Sequence, residues 1–340
     1  MLTAALVTGC VLIGNAALLL GCADDGTAVK GKVFYVSPDG SDRNSGSKGA
    51  PFRTVAKGIS KMRPGTTTYV RSGTYRERVA ARGPRCSPKA PCVLRNAPGE
   101  KPVVKGLLWL DGGSSWTIDG LGVKWDPRDS PEEHMVKVIG GSDWTLKRME
   151  MSGAQSFANL LVAGNPRSWR VSQNCIHDTY PSNDVNQDHN VYVNTGSGGR
   201  DGLIDRNLLY NAENGANLKL GGPSVGSSRT SGVVVSHNTM WNAAQNIVVT
   251  GGSHDIRFDR NITARAALRS YRAYRLTGDD VALESGLTAQ AEAVQHADPG
   301  FRSLAVDGVE TIDDPQFDRI GCDGFRPGNA TAQTYGAFAP

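Results

Sequence analysis

Short runs of alternating apolar and polar residues fill the middle of the chain, and they fall into two types. The first type recurs as Ser115-Trp116-Thr117-Ile118, Asp143-Trp144-Thr145-Leu146 and Ser168-Trp169-Arg170-Val171, and continues as Gly202-Leu203-Ile204, Val233-Val234-Val235 and Ile256-Arg257-Phe258. The second lies between copies of the first: Met135-Val136-Lys137-Val138, Asn159-Leu160-Leu161-Val162, Asn190-Val191-Tyr192-Val193, Asn217-Leu218-Lys219-Leu220 and Asn246-Ile247-Val248-Val249. A period of two predicts strands with one buried face. In the second type the inward positions are Val191 and Val193, Leu218 and Leu220, Ile247 and Val249. The outward positions are Lys137, Leu161, Tyr192, Lys219 and Val248.

The spacing sets the architecture. Asn174, Asn207, Asn238 and Asn261 follow the later copies of the first type, at intervals of 33, 31 and 23 residues. A coil of about 23 residues with two insertions accounts for all three intervals, and a unit that small must stack on its neighbours to close a core. Stacking aligns the Asn side chains as an amide ladder and puts Trp116, Trp144 and Trp169 one above another. Gly140, Gly164, Gly222 and Gly251 mark a repeated bend, at which one coil carries Thr195 instead. The prediction is an all-β parallel β-helix. Val55, Ile59 and Met62 have helical spacing and precede Pro64-Gly65, which predicts a short N-terminal helix capping the open edge of the first coil. Residues 264–297 break the repeat and read as an irregular or partly helical insertion. The expected layout is a leader at 1–22, a linker at 23–32 and one β-helix domain at 33–340. That domain divides into a cap and first coils at 33–101, central coils at 102–263 and irregular C-terminal coils at 264–340.

The run Phe34-Tyr35-Val36-Ser37-Pro38-Asp39-Gly40-Ser41-Asp42, with Pro51-Phe52-Arg53-Thr54 and Tyr69-Val70-Arg71-Ser72-Gly73-Thr74-Tyr75, resembles the N-terminal portion of right-handed parallel β-helix proteins of the pectate-lyase-like superfamily. Asn96-Ala97-Pro98-Gly99 resembles their first coil. Asp298-Pro299-Gly300-Phe301 and Tyr335-Gly336-Ala337-Phe338 resemble their last coils. The resemblance implies a right-handed β-helix over most of residues 33–340 and says less about the reaction. The Asn-Thr-Asp and Gly-His-Gly motifs of the polygalacturonase-type hydrolases do not occur in the central strands, and Asp-Asp occurs only at 24–25, 279–280 and 313–314. The Asp grouping also matches no pectate-lyase calcium set residue by residue.

Composition narrows the partners. With 37 Lys and Arg against 33 Asp and Glu the net charge is +4, too even for a dedicated nucleic-acid binder. The 41 glycines have no Gly-X-Y period, which excludes collagen. Residues 2–21 are apolar and uncharged and end in Leu19-Leu20-Gly21-Cys22, which resembles a lipoprotein signal with Cys22 as the lipidated residue. An ordinary secretory signal and an uncleaved anchor are the alternatives. The expectation is an exported monomer, held at a membrane by a lipid or anchor or else secreted. Export suits a disulfide between Cys86 and Cys92 across a Pro-containing loop; Cys175 and Cys322 either pair or act as small buried hydrophobes.

Candidate chemistry gathers where two insertions, 179–188 and 221–229, flank adjacent coils as the walls of a groove. Strands about 4.8 Å apart place Tyr192 and Lys219 side by side on its floor. His189, Tyr192 and Lys219 form the candidate catalytic set, with Lys219 as the base that removes the proton beside a uronate carboxylate and Tyr192 or His189 as the acid. Arg229 and Lys137 are candidate substrate ligands for a carboxylate. Asp184 and Asp188 offer oxygen ligands to Ca²⁺. The expected partner is an acidic polysaccharide, bound or cleaved by β-elimination. The alternatives are a non-catalytic glycan-binding or structural surface protein, and a glycoside hydrolase pairing Asp184 or Asp188 with Asp205. The plainer expectation for His189 is that it orders its bend by bonding to backbone.

Overall fold

The computed structural model describes residues 31–129, 133–155, 157–180, 188–223, 228–273, 321–327 and 332–339, together with short strands between 281 and 312. The leader with Cys22, most of the linker and Asp184 lie outside the described residues. So does much of the C-terminal third.

Among the described residues the strands form two all-parallel sheets, one of eleven strands and one of fourteen, in a parallel β-solenoid. The eleven-stranded sheet contains the first strand type. Thr145–Lys147, Arg167–Ser172, Arg200–Asp205, Ser231–Ser236 and His254–Asp259 pair in that order. The fourteen-stranded sheet is entered twice per coil, first by short strands such as Cys175–His177, then by the second strand type such as Val191–Asn194. In the next coil the two runs fuse into one strand, Leu208–Leu220, with a register shift between Ala212 and Ala216. The inward residues expected from the alternation, Val191 to Val249, are all buried.

Amide ladders hold the bends. Asn174, Asn207 and Asn238 each donate a side-chain N–H to the Oδ1 of the Asn one coil further on, at 2.9 Å. Their backbone N–H groups reach the same oxygens at 2.9–3.0 Å. The residue before each rung, Gln173, Arg206, His237 and Arg260, has φ between 51° and 57°. That conformation costs an L-residue about 1–2 kcal/mol, and here the doubly used Asn oxygen offsets it. A second ladder joins Asn159, Asn190, Asn217 and Asn246 at 2.7–2.9 Å. All its rungs are buried, where an unpaired amide is costly. Trp116, Trp144 and Trp169 stack at centroid distances of 5.4 and 5.6 Å. The stack ends on Gly202, where a Cβ would stand 2.4 Å from the Trp169 ring. At the repeated bend Gly140, Gly164 and Gly251 have positive φ, whereas the Thr195 coil uses Gly196 and the coil after it uses Gly221, not Gly222.

The short helix is Val55–Lys61, begun by the Thr54 hydroxyl accepting from Lys57 N at 3.0 Å. The Glu77 carboxylate accepts from Val55 N and Ala56 N, two of the open N–H groups of the first turn. The helix follows the first strand, Val33–Val36, so it is not N-terminal as expected, and it packs on the strands at 33–36, 67–70 and 73–82. Among the described residues of 264–297 the strands stay paired. Asn261–Ala273 joins Thr239–Val249 on one side and Gly286–Ala289 on the other. Cys86 is bonded to Cys92 and Cys175 to Cys322, so the second pair is linked. The latter bond fixes the C-terminal segment on the outer face of the large sheet, where Phe325 is fully buried between Tyr210 and Trp241.

Candidate functional site

The strand register builds one continuous line of outward side chains. Ala80 pairs with Trp109, Trp109 with Lys137, Lys137 with Leu161, Leu161 with Tyr192, Tyr192 with Lys219 and Lys219 with Val248. Lys137, Tyr192 and Lys219 are half-buried, while Leu161 and Val248 are buried. Cations rest on the aromatic members. Lys219 Nζ lies 5.4 Å from the Tyr192 ring centre and Lys137 Nζ 4.7 Å from that of Trp109. Such contacts are worth about 0.5–2 kcal/mol according to exposure. They also fix where two long, flexible side chains place their charge. The Tyr192 hydroxyl reaches the bend at Gly222, where a Cβ would come within 2.9 Å of it.

His189 stands one residue ahead of the Asn190 rung. Its Nδ1 accepts from Ala216 N at 3.0 Å, and its ring meets Tyr192 edge-on at 5.9 Å. It therefore bonds to backbone, as the plainer expectation had it, and it also touches Tyr192. Burial, with the nearby charges of Lys219 and His134, holds it well below the ordinary histidine range, so it is neutral at pH 7. With Nδ1 accepting, the neutral ring carries its proton on Nε2. The close approach depends on Gly215, where a Cβ would lie 2.0 Å from the Asp188 carbonyl oxygen and 3.0 Å from His189 Nδ1.

His134 repeats this arrangement two coils earlier and was missed in the sequence. Its Nδ1 accepts from Ala158 N at 3.1 Å, and it stacks on Phe157 at 4.9 Å and approaches Tyr192 at 6.1 Å. Burial and the Lys137 charge push it down to about 4. Trp109, also missed, donates its indole N–H to the His134 carbonyl at 2.7 Å. The signal available for His134 was its place one residue before a strand of the second type, as at His189.

The remaining expected residues are more dispersed. Arg229 is half-buried at the base of the second insertion, with its carbonyl accepting from Gly196 N at 2.8 Å. Asp188 is fully buried, and its Oδ2 accepts from the Asn214 amide at 2.8 Å. Among the described residues, the one cluster of three potential metal-ligating side chains is Cys175, His177 and Cys322, whose sulfurs are bonded to each other. The oxygen site expected at Asp184 and Asp188 falls partly outside the described residues, because Asp184 does. Asp205 ends a strand of the other sheet, so it does not face Asp188 across the groove as a hydrolase pair requires.

A second line of outward residues runs Arg76, Lys105, Lys124, Ser152, His177, Tyr210 and Trp241. His177 stacks on Tyr210 at 4.7 Å and bonds Asp178 at 2.8 Å. Burial alone would lower its pKa, but the Asp178 and Glu150 carboxylates outweigh it and the pKa is raised. The C-terminal segment covers the aromatic end of this line.

A family profile described as protein of unknown function (DUF1565) matches residues 38–250. The chain belongs to the DUF1565 family. The match takes in every residue of the Trp109 to Lys219 line. Over 76 residues this DUF1565 chain is 42% identical to the uncharacterized protein YwoF of Bacillus subtilis (strain 168), covering 22% of this chain and 16% of that protein. Over 83 residues it is 35% identical to pectate lyase PEL9 of Emericella nidulans, covering 23% and 20%. The matched stretches thus span a fifth or less of those relatives' length. Pectate lyase Pel9A has a similar structure, with TM-score 0.57 and 11% identity, covering 82% of this chain and 78% of the other. XylC, solved with xylose, has TM-score 0.50 and 14% identity, covering 75% and 68%. A mannuronic acid specific family 6 polysaccharide lyase from human gut microbiota has the same TM-score and identity, covering 82% and 72%. At these identities the likeness is one of fold: the described residues of this DUF1565 chain form a parallel β-helix of the pectate-lyase-like type.

Proposed function

We propose that the protein binds an acidic polysaccharide along the Trp109 to Lys219 line and cleaves it by β-elimination, with Lys219 as the base. The observation that carries this reading is the line itself, with an apolar and aromatic floor at Leu161 and Tyr192 and an ammonium at each end. Lys137 and Lys219 are three strands apart, about 14 Å at the usual strand spacing. A polyuronate lying along the solenoid axis meets both charges while its ring faces rest between them. Similar proteins include a pectate lyase and a mannuronic acid specific lyase, which supports the substrate class.

In the proposed step the Lys219 ammonium first gives its proton to water, and the free amine then takes the proton from the carbon beside the uronate carboxylate. The freed electron pair forms the new carbon–carbon double bond, the adjacent carbon–oxygen bond breaks, and the departing oxygen takes a proton from Tyr192. Neutral His189 orients the Tyr192 ring. Lys137 and Arg229 supply positive charge to carboxylates along the chain. The step is written with the chain's own residues, and parallel assays with and without Ca²⁺ test the oxygen site expected at Asp184 and Asp188. The apolar leader supports export, with lipidation at Cys22, and mass spectrometry of the membrane fraction tests it.

The experiment is incubation with pectate, alginate and glycosaminoglycans while following the absorbance of unsaturated products. Lys219→Ala is expected to lower turnover by about 10²–10⁴-fold, the usual weight of a general base. Full activity in that variant would overturn the mechanism. The second reading is glycan binding without cleavage, favoured by the tie of His189 to the Ala216 backbone. It predicts retention of the polymer with no unsaturated product.

A further inference from the structure

The Trp109 to Lys219 line does not stop at its proposed reacting end. At the N-terminal rim of the solenoid it opens into a cleft of about 480 Å³ whose lining includes Ala80, Arg82, Trp109, Asp111, Lys137 and Ile139. Register explains the shape. Ala80, Trp109 and Lys137 form one outward row, and Arg82, Asp111 and Ile139 form the next outward row beside it. The first row begins with alanine where the following coil has tryptophan, so the indole stands above a low floor.

The indole is held in place. Its N–H is tied to the His134 carbonyl, the Lys137 ammonium sits 4.7 Å from the ring centre and the Arg78 guanidinium 5.9 Å. Arg82 and Asp111 are exposed at the rim. Two cations therefore face the cleft from either side, with an aromatic ring and a carboxylate between them. That is the donor set for one sugar unit bearing a carboxylate: cations for the acid group, the ring for the apolar face and Asp111 for a hydroxyl.

We propose that this cleft is a distal subsite for an acidic sugar, so that the protein favours chains long enough to reach from Lys219 to Trp109. The proposal rests on the acidic-polysaccharide reading above. Trp109 and Lys219 are four strands apart, about 19 Å, which corresponds to about four sugar units of an extended 1,4-linked chain. Chains that span the line gain the contacts at Arg82 and Trp109, and shorter ones do not.

The test measures binding of homogeneous oligouronates of two to eight units, by calorimetry and by tryptophan fluorescence, on the full protein carrying Lys219→Ala so that consumption is slow. Affinity is expected to step up by about tenfold once the oligomer exceeds four units. Arg82→Ala and Trp109→Ala should each reduce the ratio of long-chain to short-chain affinity towards one. Arg82 is exposed, so its removal probes the subsite without disturbing packing, and thermal melts check the folding of both variants. A length profile with no step, or a step of unchanged size in Arg82→Ala, would overturn the subsite while leaving the polysaccharide reading intact. Failure of every acidic oligomer to bind would overturn both.

Discussion

At the scale of single residues, the site depends on histidines kept neutral by burial. His134 has a folded pKa of about 4 against an ordinary value of about 6.5. Between those values the unfolded chain binds a proton that the folded chain refuses. Stability from this group is complete above pH 6.5 and is lost as pH falls towards 4, with a slope of at most about 1.4 kcal/mol per pH unit. His189 is shifted in the same direction, so it adds to the loss in acid. His177 has the opposite sign: its raised pKa contributes stability below 6.5 that disappears as pH rises through the folded value. Melting temperatures of His134→Gln against pH should show a shallower decline between 6.5 and 4 than the unaltered protein. Gly215→Ala tests the same neighbourhood sterically. Its Cβ falls 2.0 Å from the Asp188 carbonyl, so the backbone must move and the hydrogen bond between Ala216 and His189 must lengthen. A lower melting point together with weaker glycan retention is expected.

At the scale of elements, the ladders and the tryptophan stack do the work that a larger core does in a globular domain. Asn207→Ala removes an oxygen that accepts twice from Asn174 and an amide NH₂ that donates to Val171 O and Asn238 Oδ1. Several buried polar groups lose partners at once, at about 1–3 kcal/mol each. Chemical denaturation should show a loss of about 3–5 kcal/mol, larger than for Asn261→Ala at the far rung. These elements were legible in the sequence for a physical reason. A stacked coil needs the same residue at the same bend, so Asn and Gly recur at measurable intervals, and a period of two assigns Lys137, Tyr192 and Lys219 to one outward row. Trp109 was not legible because its strand, Pro102–Asp111, runs straight through a bend with no Asn marker and with Leu107 and Leu108 both buried. The Asn159 ladder was visible as a column of identical residues, but its bonding was not, because the alternation by itself does not distinguish an amide at a bend from one at a strand entrance.

At the scale of the whole molecule, the two outward rows of the large sheet have different fates. The row ending in Tyr210 and Trp241 is covered by the C-terminal segment, which is held by the Cys175–Cys322 bond, by Phe325 and by Ala337 N donating to Thr239 Oγ1 at 3.0 Å. Among the described residues that segment makes no such contact with the row from Trp109 to Lys219. The chain supplies its own cover for the first row, and the proposed function assigns the other row to a ligand. The bond closes a loop of 147 residues, for which loop-closure entropy alone gives about 5 kcal/mol. The paired variant Cys175→Ser with Cys322→Ser should therefore melt well below the unaltered protein, and its tryptophan emission should shift to longer wavelength as Trp241 becomes wetter. Oligouronate binding at temperatures below the melt should not change, because the covering segment lies over the other row. A fall in oligouronate affinity on cutting this bond would mean that the two rows are coupled through the sheet they share, and that the C-terminal segment controls the groove as well as covering its neighbour.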